Sequence, residues 1–372
     1  MFFAFTEEQE DFRASLRRLL TDRAPSSRVR ETFDAGCDPS LWKLLTEDMG
    51  LPGLHVPEEL GGQGFGYLET AVVFAELGRC LAPVPMAATT FAMEAILRCG
   101  SPEQRQRLIP DLADGSRTGA LGLSSGADIP DTGLPADTPV AVSGTADEVV
   151  LHGTVRHVLH GAAADRLVLP AADPGSSDAA LHVVDVDAPG VTVAAADSLD
   201  LTRPVATVIL EGAAGERLTA GTGTEGIHQA LDVARTLLAF ESIGAAERCL
   251  ELSVEYATSR VQFNRPIGSF QSIKHRCADM AIEIDATRGA AMYAAMVLDQ
   301  DPIEFARTAP LAKAQAAETL RQCAHGMIQV HGGIGFTWEH DSHLYYRRAT
   351  ANEVLLGDVE ELREIAADRA GI

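Results

Sequence analysis

The chain has 372 residues, 46% of them hydrophobic and 22% charged, with a formal net charge of −23. That apolar content supports a substantial core spread over two or three domains, and the acidic balance argues against nucleic acid or an anionic membrane surface as a partner. An anionic ligand needs local positive charge set against this global field.

The N-terminal stretch Met1-Phe2-Phe3-Ala4-Phe5-Thr6-Glu7-Glu8 turns acidic without a positive n-region, so it does not read as a signal peptide. Thr6 followed by Gln9 predicts a capping box. Phe12, Leu16, Leu19 and Leu20 then fall on one helical face. Trp42, Leu44 and Leu45 continue a helical pattern to Gly50. A glycine-rich loop, Pro57-Glu58-Glu59-Leu60-Gly61-Gly62-Gln63-Gly64, precedes another long helix around Phe74–Gly78. Residues 1–117 are therefore expected to form an N-terminal helical domain.

The composition changes over 118–222. Short apolar runs predict strands at Val140–Val142, Val149–Leu151, Leu167–Leu169, His182–Val184 and Thr207–Leu210, with Gly, Pro, Asp and Ser between them. This reads as a small antiparallel β domain. From 223 to 372 the pattern is helical again, alanine-rich and amphipathic. No run of about eighteen apolar residues occurs, so no membrane-spanning helix is expected. Six cysteines (Cys37, Cys80, Cys99, Cys249, Cys277, Cys323) are scattered without paired spacing. They read as small reduced core residues of a cytoplasmic protein, not as disulfides or metal ligands. His325 and His331 lack further ligands at metal-binding spacing, so no metal is expected.

Two segments carry chemistry. Ser259–Met280 contains a cation, Arg260, an aromatic, Phe263, a rigid Pro266–Gly268 turn and an amide, Gln271. A guanidinium pairs bidentately with phosphate oxygens, an aromatic packs on a ring face, and an amide gives directional hydrogen bonds. Together they suit a cofactor with a pyrophosphate and a flat ring. The second segment, Gln329-Val330-His331-Gly332-Gly333-Ile334-Gly335-Phe336, sets a Gly-Gly pair beside a glutamine, which lets the backbone approach a phosphate or ribose edge.

Both segments resemble signatures of the acyl-CoA dehydrogenase family, and the helix–strand–helix order is similar to that family along nearly the whole chain. The resemblance implies an α+β fold with an N-terminal helical domain, a middle antiparallel β-barrel and a C-terminal four-helix bundle. It implies FAD as cofactor, bound by Arg260, Gln262, Phe263, Ile267, Phe270, Gln271, Gln329, Gly332 and Gly333, with the ADP portion at a subunit interface. It implies an acyl-CoA substrate, with Asp232 and Arg235 beside the CoA chain; at i and i+3 these two also suit a plain intrahelical ion pair. The loop Pro57–Gly64 resembles a wall of the family's acyl pocket and equally suits a plain interhelix connection.

The chain also departs from the family. The reaction passes an α-proton to a carboxylate and a β-hydride to the flavin. Most members carry that carboxylate in a Tyr-Glu-Gly tripeptide, where this chain has Leu355-Leu356-Gly357. A second group carries it in Leu-Asp-x-Glu-Arg, where Leu231-Asp232-Val233-Ala234-Arg235 puts alanine at the base position. The middle-domain flavin motifs are reduced to Leu123-Ser124-Ser125-Gly126-Ala127-Asp128 and His157-Val158-Leu159-His160-Gly161. Glu241, nearly on the face of Ala234, and Asp358, next to Gly357, remain as unconventional base candidates. The retained clamp and the lost centre resemble the small subunits of actinobacterial heterotetrameric steroid side-chain acyl-CoA dehydrogenases. The expected role is an ADP clamp supplied to a second acyl-CoA dehydrogenase-like subunit. The alternatives are an active homo-oligomer using Asp358 or Glu241, and a non-enzymatic scaffold that keeps the fold.

Overall fold

A computed structural model describes residues 4–123, 140–145, 148–172, 179–220 and 224–372. The expected capping box opens the first helix: Gln9 N–H donates to Thr6 Oγ1 at 3.3 Å, and Thr6 N–H donates to Gln9 Oε1 at 2.9 Å. The N-terminal helices are α1 (Glu7–Arg23), α2 (Ser26–Glu31), α3 (Pro39–Lys43), α4 (Tyr67–Cys80), α5 (Met86–Cys99), α6 (Pro102–Leu108) and α7 (Pro110–Ala113). Leu16 and Leu20 are buried on the inner face of α1. The Pro57–Gly64 loop winds back on itself. A Cβ on Gly62 would lie 2.1 Å from the Val56 carbonyl oxygen, so packing alone requires glycine there.

The middle strands are β1 (Gly119–Leu121), β2 (Val140–Thr145), β3 (Glu148–Leu159), β4 (Arg166–Ala172), β5 (Ala179–Asp185), β6 (Val191–Ala196) and β7 (Val205–Arg217). All five runs singled out in the sequence lie in strands. The pairings β4–β2, β2–β3, β3–β7, β7–β5 and β5–β4 close a barrel. Most pairs are antiparallel, but β1 and β2 run parallel to β4 at its two ends. The long chain stretches separating these partners make parallel pairing possible, which a tight hairpin cannot. Two strands carry weak signals in the sequence. β1 has only three residues, and β6 exposes alternate small residues and buries none fully.

The C-terminal part comprises α8 (Glu225–Ser259), a hairpin of β8 (Val261–Gln262) and β9 (Arg265–Pro266), then α9 (Gln271–Val297), α10 (Pro302–His331), α11 (Ser342–Val354) and α12 (Val359–Ala370). The helices α8, α9 and α10 pack on one another; α12 lies on α10, and α11 touches α10 and α8. Every residue of α8 from Ala230 to Ala246 is buried, because α4 and α5 cover the side that the bundle leaves open. Among the described residues, no helix is long and apolar enough to cross a membrane.

The α4–α8 contact is a backbone contact. A Cβ on Gly244 would meet the Ala75 carbonyl oxygen at 1.8 Å, and one on Gly78 would meet the Glu241 carbonyl oxygen at 2.1 Å. Overpacking of this kind costs ~1–3 kcal/mol, so Gly244→Ala is expected to lower the urea midpoint clearly. An unchanged midpoint would mean that the two helices separate without penalty.

Candidate functional site

The Arg260 segment sits where α8 ends. Arg260 N–H donates to Tyr256 O at 2.8 Å, and Ile267 N–H returns to Arg260 O at 2.8 Å, closing the base of the β8–β9 hairpin. Phe263 and Asn264 form its tip with φ of 52° and 62°, the conformation that tight hairpins demand. This lifts Phe263 to 86% exposure. Arg265 lies 4.0 Å over the Phe270 ring, and Phe263 meets that ring edge-on at 6.0 Å. Gln262 and Gln271 are exposed; Ile267 and Phe270 are half-buried.

The second segment reaches the same end of the bundle from α10. Gln329, Gly332 and Gly333 are exposed. Gly332 has φ 63° and ψ −136°, and a Cβ on either glycine would find nothing within 4 Å. Both halves of the expected clamp therefore open onto free space. Arg260 is exposed, and among the described residues no hydrogen bond or ion pair engages its guanidinium. An unengaged guanidinium, two surface amides and a bare Gly-Gly backbone fit a diphosphate and its ribose. The same two loops expose Val261, Ile334, Phe336 and Trp338, Phe336 at 81%. Large apolar side chains left exposed in one region are a feature of interaction faces. Their signal in the sequence is the run of large apolar residues inside a glycine-rich loop.

Among the described residues, a charged network fills the interior where the barrel meets α8 and α11. Arg203 and Arg348 both donate to the Glu241 carboxylate, and Arg348 also pairs with Asp200. Arg348 Nη2 donates to Thr202 Oγ1 at 2.6 Å, and Asn352, bonded to Arg203, donates to Ser242 Oγ at 2.9 Å. Burial raises the carboxyl of Asp200, but Arg348 and Arg203 outweigh it and hold the group below its usual range. Burial, then the two guanidiniums, push His160 down to about 3, so it is neutral at pH 7. The cavity beside Glu241, His160 and Met86 is only about 20 Å³, which admits a water molecule but no ring system.

Glu241, a candidate base, is thus held between two cations. The other candidate, Asp358, is the N-cap of α12. It accepts from Glu360 N–H and Glu361 N–H, both at 2.9 Å, while Glu361 accepts from Asp358 N–H at 3.0 Å. Asp358 followed by Glu361 is a capping-box pattern, a local signal that points to this role from sequence. At the two family base positions, Leu356 and Ala234 are buried. Leu356 has φ 64°, and its carbonyl accepts from Arg235 Nε at 3.0 Å. Lys313 donates to the carbonyls of Gly357 and Glu353; burial, then Arg235, lower its pKa to about 7.

Asp232 and Arg235 are also interior. They pair at 2.9 Å, and Arg369 of α12 binds the other Asp232 oxygen at 2.7 Å. Burial raises the Asp232 carboxyl despite these cations. The pair ties α8 to the C-terminal helix and does not line open space. His157 is exposed at a bulge of β3 with φ 57°; Ser124–Asp128 lies outside the described residues. All six cysteines are unpaired. Among the described residues no three potential ligands gather around a metal position.

Residues 6–116 match the acyl-CoA dehydrogenase N-terminal domain, and 221–371 match the acyl-CoA dehydrogenase C-terminal domain. The acyl-CoA dehydrogenase IpdE2 of Mycobacterium tuberculosis is 37% identical over 358 residues, 96% of this chain and 95% of its own. Among solved structures, the ChsE4-ChsE5 complex from Mycobacterium tuberculosis is similar at a TM-score of 0.88 and 31% identity, covering 100% of both chains. A variant of the Tcur3481-Tcur3483 steroid ACAD gives 0.87 and 30%, covering 98% of each.

Replacing Glu241 by Gln leaves Arg203 and Arg348 buried together without their shared counter-ion. Breaking a buried ion network costs ~3–5 kcal/mol, so Glu241→Gln is expected to lower stability by that order in urea unfolding. A change within experimental error would show that the network contributes nothing to the fold.

Proposed function

The chain belongs to the acyl-CoA dehydrogenase family, and from that premise we propose that it is one subunit of a heteromeric, FAD-dependent acyl-CoA dehydrogenase. It lends the ADP clamp to a catalytic partner and carries no base of its own. Residues 1–117, 118–222 and 223–372 are its three units, and the assembly is cytoplasmic. One observation carries the reading: the clamp at the end of α8 and α10 is open, whereas the chain's own centre is filled by a charged network. Leu356 and Ala234 cannot take a proton, Glu241 is held by Arg203 and Arg348, and Asp358 is committed to the α12 N-terminus. The homo-oligomeric and scaffold alternatives each leave one half of this split without a purpose.

In this role Arg260 binds the pyrophosphate of FAD, bidentately if both its forks engage. Gly332 and Gly333 let the backbone approach the same anion, and Gln271 and Gln329 orient it through their amides. Phe263 and Phe270 exclude water beside it. FAD supplies the hydride acceptor; the partner supplies the carboxylate that removes the α-proton. Two similar structures, the ChsE4-ChsE5 complex and the Tcur3481-Tcur3483 steroid ACAD, are two-component assemblies. These similarities favour a partner subunit of related fold and a steroid-derived acyl-CoA substrate. Clamp and centre then combine at about two sites in a symmetric tetramer of two chain types.

The chain purified alone is expected to hold little FAD and to turn over no acyl-CoA ester with an artificial acceptor. Near-stoichiometric flavin and turnover in the lone chain would establish the homo-oligomer instead. In the assembled complex, Arg260→Ala removes a charge-assisted contact and is expected to weaken FAD retention about ten- to a hundredfold. Unchanged flavin content would sink the clamp assignment. Leu356→Glu restores a carboxylate at the family position but leaves the filled interior in place. Its expected activity without a partner is nil, checked by the same acceptor assay.

A further inference from the structure

The two halves of the clamp come from helices far apart in sequence, so something must set their spacing. His331 is the last residue of α10 and directly precedes Gly332. It is buried. On one side its ring stacks on Tyr256 at 4.4 Å, with 26° between the planes; on the other it packs against His340 at 4.3 Å in a tilted contact of 49°. Tyr256 lies one turn before Arg260 and accepts the Arg260 N–H through its carbonyl. The stack thus runs from beneath the cation to beneath the glycines.

The rings are fixed as well as stacked. His331 Nδ1 lies 2.8 Å from Met327 O, and a carbonyl only accepts, so Nδ1 carries the proton. His340 Nδ1 accepts the Ser342 N–H at 3.1 Å, so its proton is on Nε2. His340 is thereby neutral, and burial lowers the His331 pKa, so the two rings meet without like-charge repulsion. The outer end is braced from the N-terminal domain. Arg30 of α2 pairs with Asp341 at 2.9 Å and donates to Trp338 O at 2.9 Å. Gly335 closes the loop onto α10, where a Cβ would stand 3.1 Å from His331 Cβ.

We infer that the Tyr256–His331–His340 stack sets the distance between Arg260 and Gly332–Gly333, which makes His331 a positioning residue for the ADP portion of FAD. This rests on the clamp reading proposed above.

The test uses the full chain with its co-expressed partner subunit, stripped of flavin and titrated with FAD and separately with ADP by fluorescence. His331→Ala is expected to weaken FAD binding about three- to tenfold. His331→Phe keeps a flat ring in the stack and is expected to restore affinity to within about twofold of the parent, the rescue that a stacking role requires. His340→Ala and Tyr256→Leu shorten the stack from either end; each is expected to weaken FAD in the same direction, and they decide the question if His331→Ala does not fold. Arg260→Ala runs in parallel. Loss of affinity in Arg260→Ala with parental affinity in the ring variants overturns the stack. Parental affinity in Arg260→Ala overturns the clamp itself, and the stack's role with it.

Discussion

The buried carboxylate of Glu241 is the point on which three parts of the molecule converge. It projects from α8; Arg203 reaches it from the segment before β7, and Arg348 reaches it from α11. Desolvating such charges costs several kcal/mol per ion, so the arrangement survives only because each group finds hydrogen-bonding partners. Asp200 and Thr202 satisfy more of Arg348, and Asn352 and Ser242 complete the ring of partners. The network gives up burial energy in exchange for a single way of docking barrel on bundle, because an apolar contact is non-directional and this one is not.

The same network explains why the molecule looks inverted. An α helix buried on every face must neutralise its own polar groups, and α8 carries Asp232, Arg235 and Glu241 within its buried stretch. All three are turned to structural use, tied to α12, to the Leu355–Gly357 turn and to the barrel. Polar groups available for ligand chemistry lie instead at the rim, where α8 and α10 end. Lys313 follows the same logic. Its ammonium serves the carbonyl of Gly357 in the turn and that of Glu353 at the end of α11, next to the position where family members keep a carboxylate.

Local order was the most legible part of the sequence. The Thr6–Gln9 box, the five apolar runs of the barrel and the glycine-rich turns are written in neighbouring residues. β6 escaped because its outward positions hold no large side chain, and its pairing with β7 is a non-local fact. The roles of the charged residues were harder to read. Glu241, Arg203 and Arg348 are separated by 38 and 107 positions from the groups they bind, and a carboxylate on a helix reads first as solvated. At Asp358 two local patterns overlap: Gly357 behind it is the family landmark, and Glu361 ahead of it completes the capping box that the structure forms. The clamp segments stood out because cation, amide and paired glycines occur together; that they share one end of the bundle became visible only in three dimensions.

The exposed side chains of Val261, Ile334, Phe336 and Trp338 sit on a chain whose net charge is −23. Two identical chains approaching through this face carry like charge and repel at long range, while the aromatic residues attract only on contact. With a Debye length of about 8 Å at physiological salt, the repulsion acts on the encounter and fades in the finished interface. A mate of smaller negative charge meets a lower barrier than a second copy does. Charge therefore opposes the encounter of two like chains through this face, and that opposition weakens as ionic strength rises.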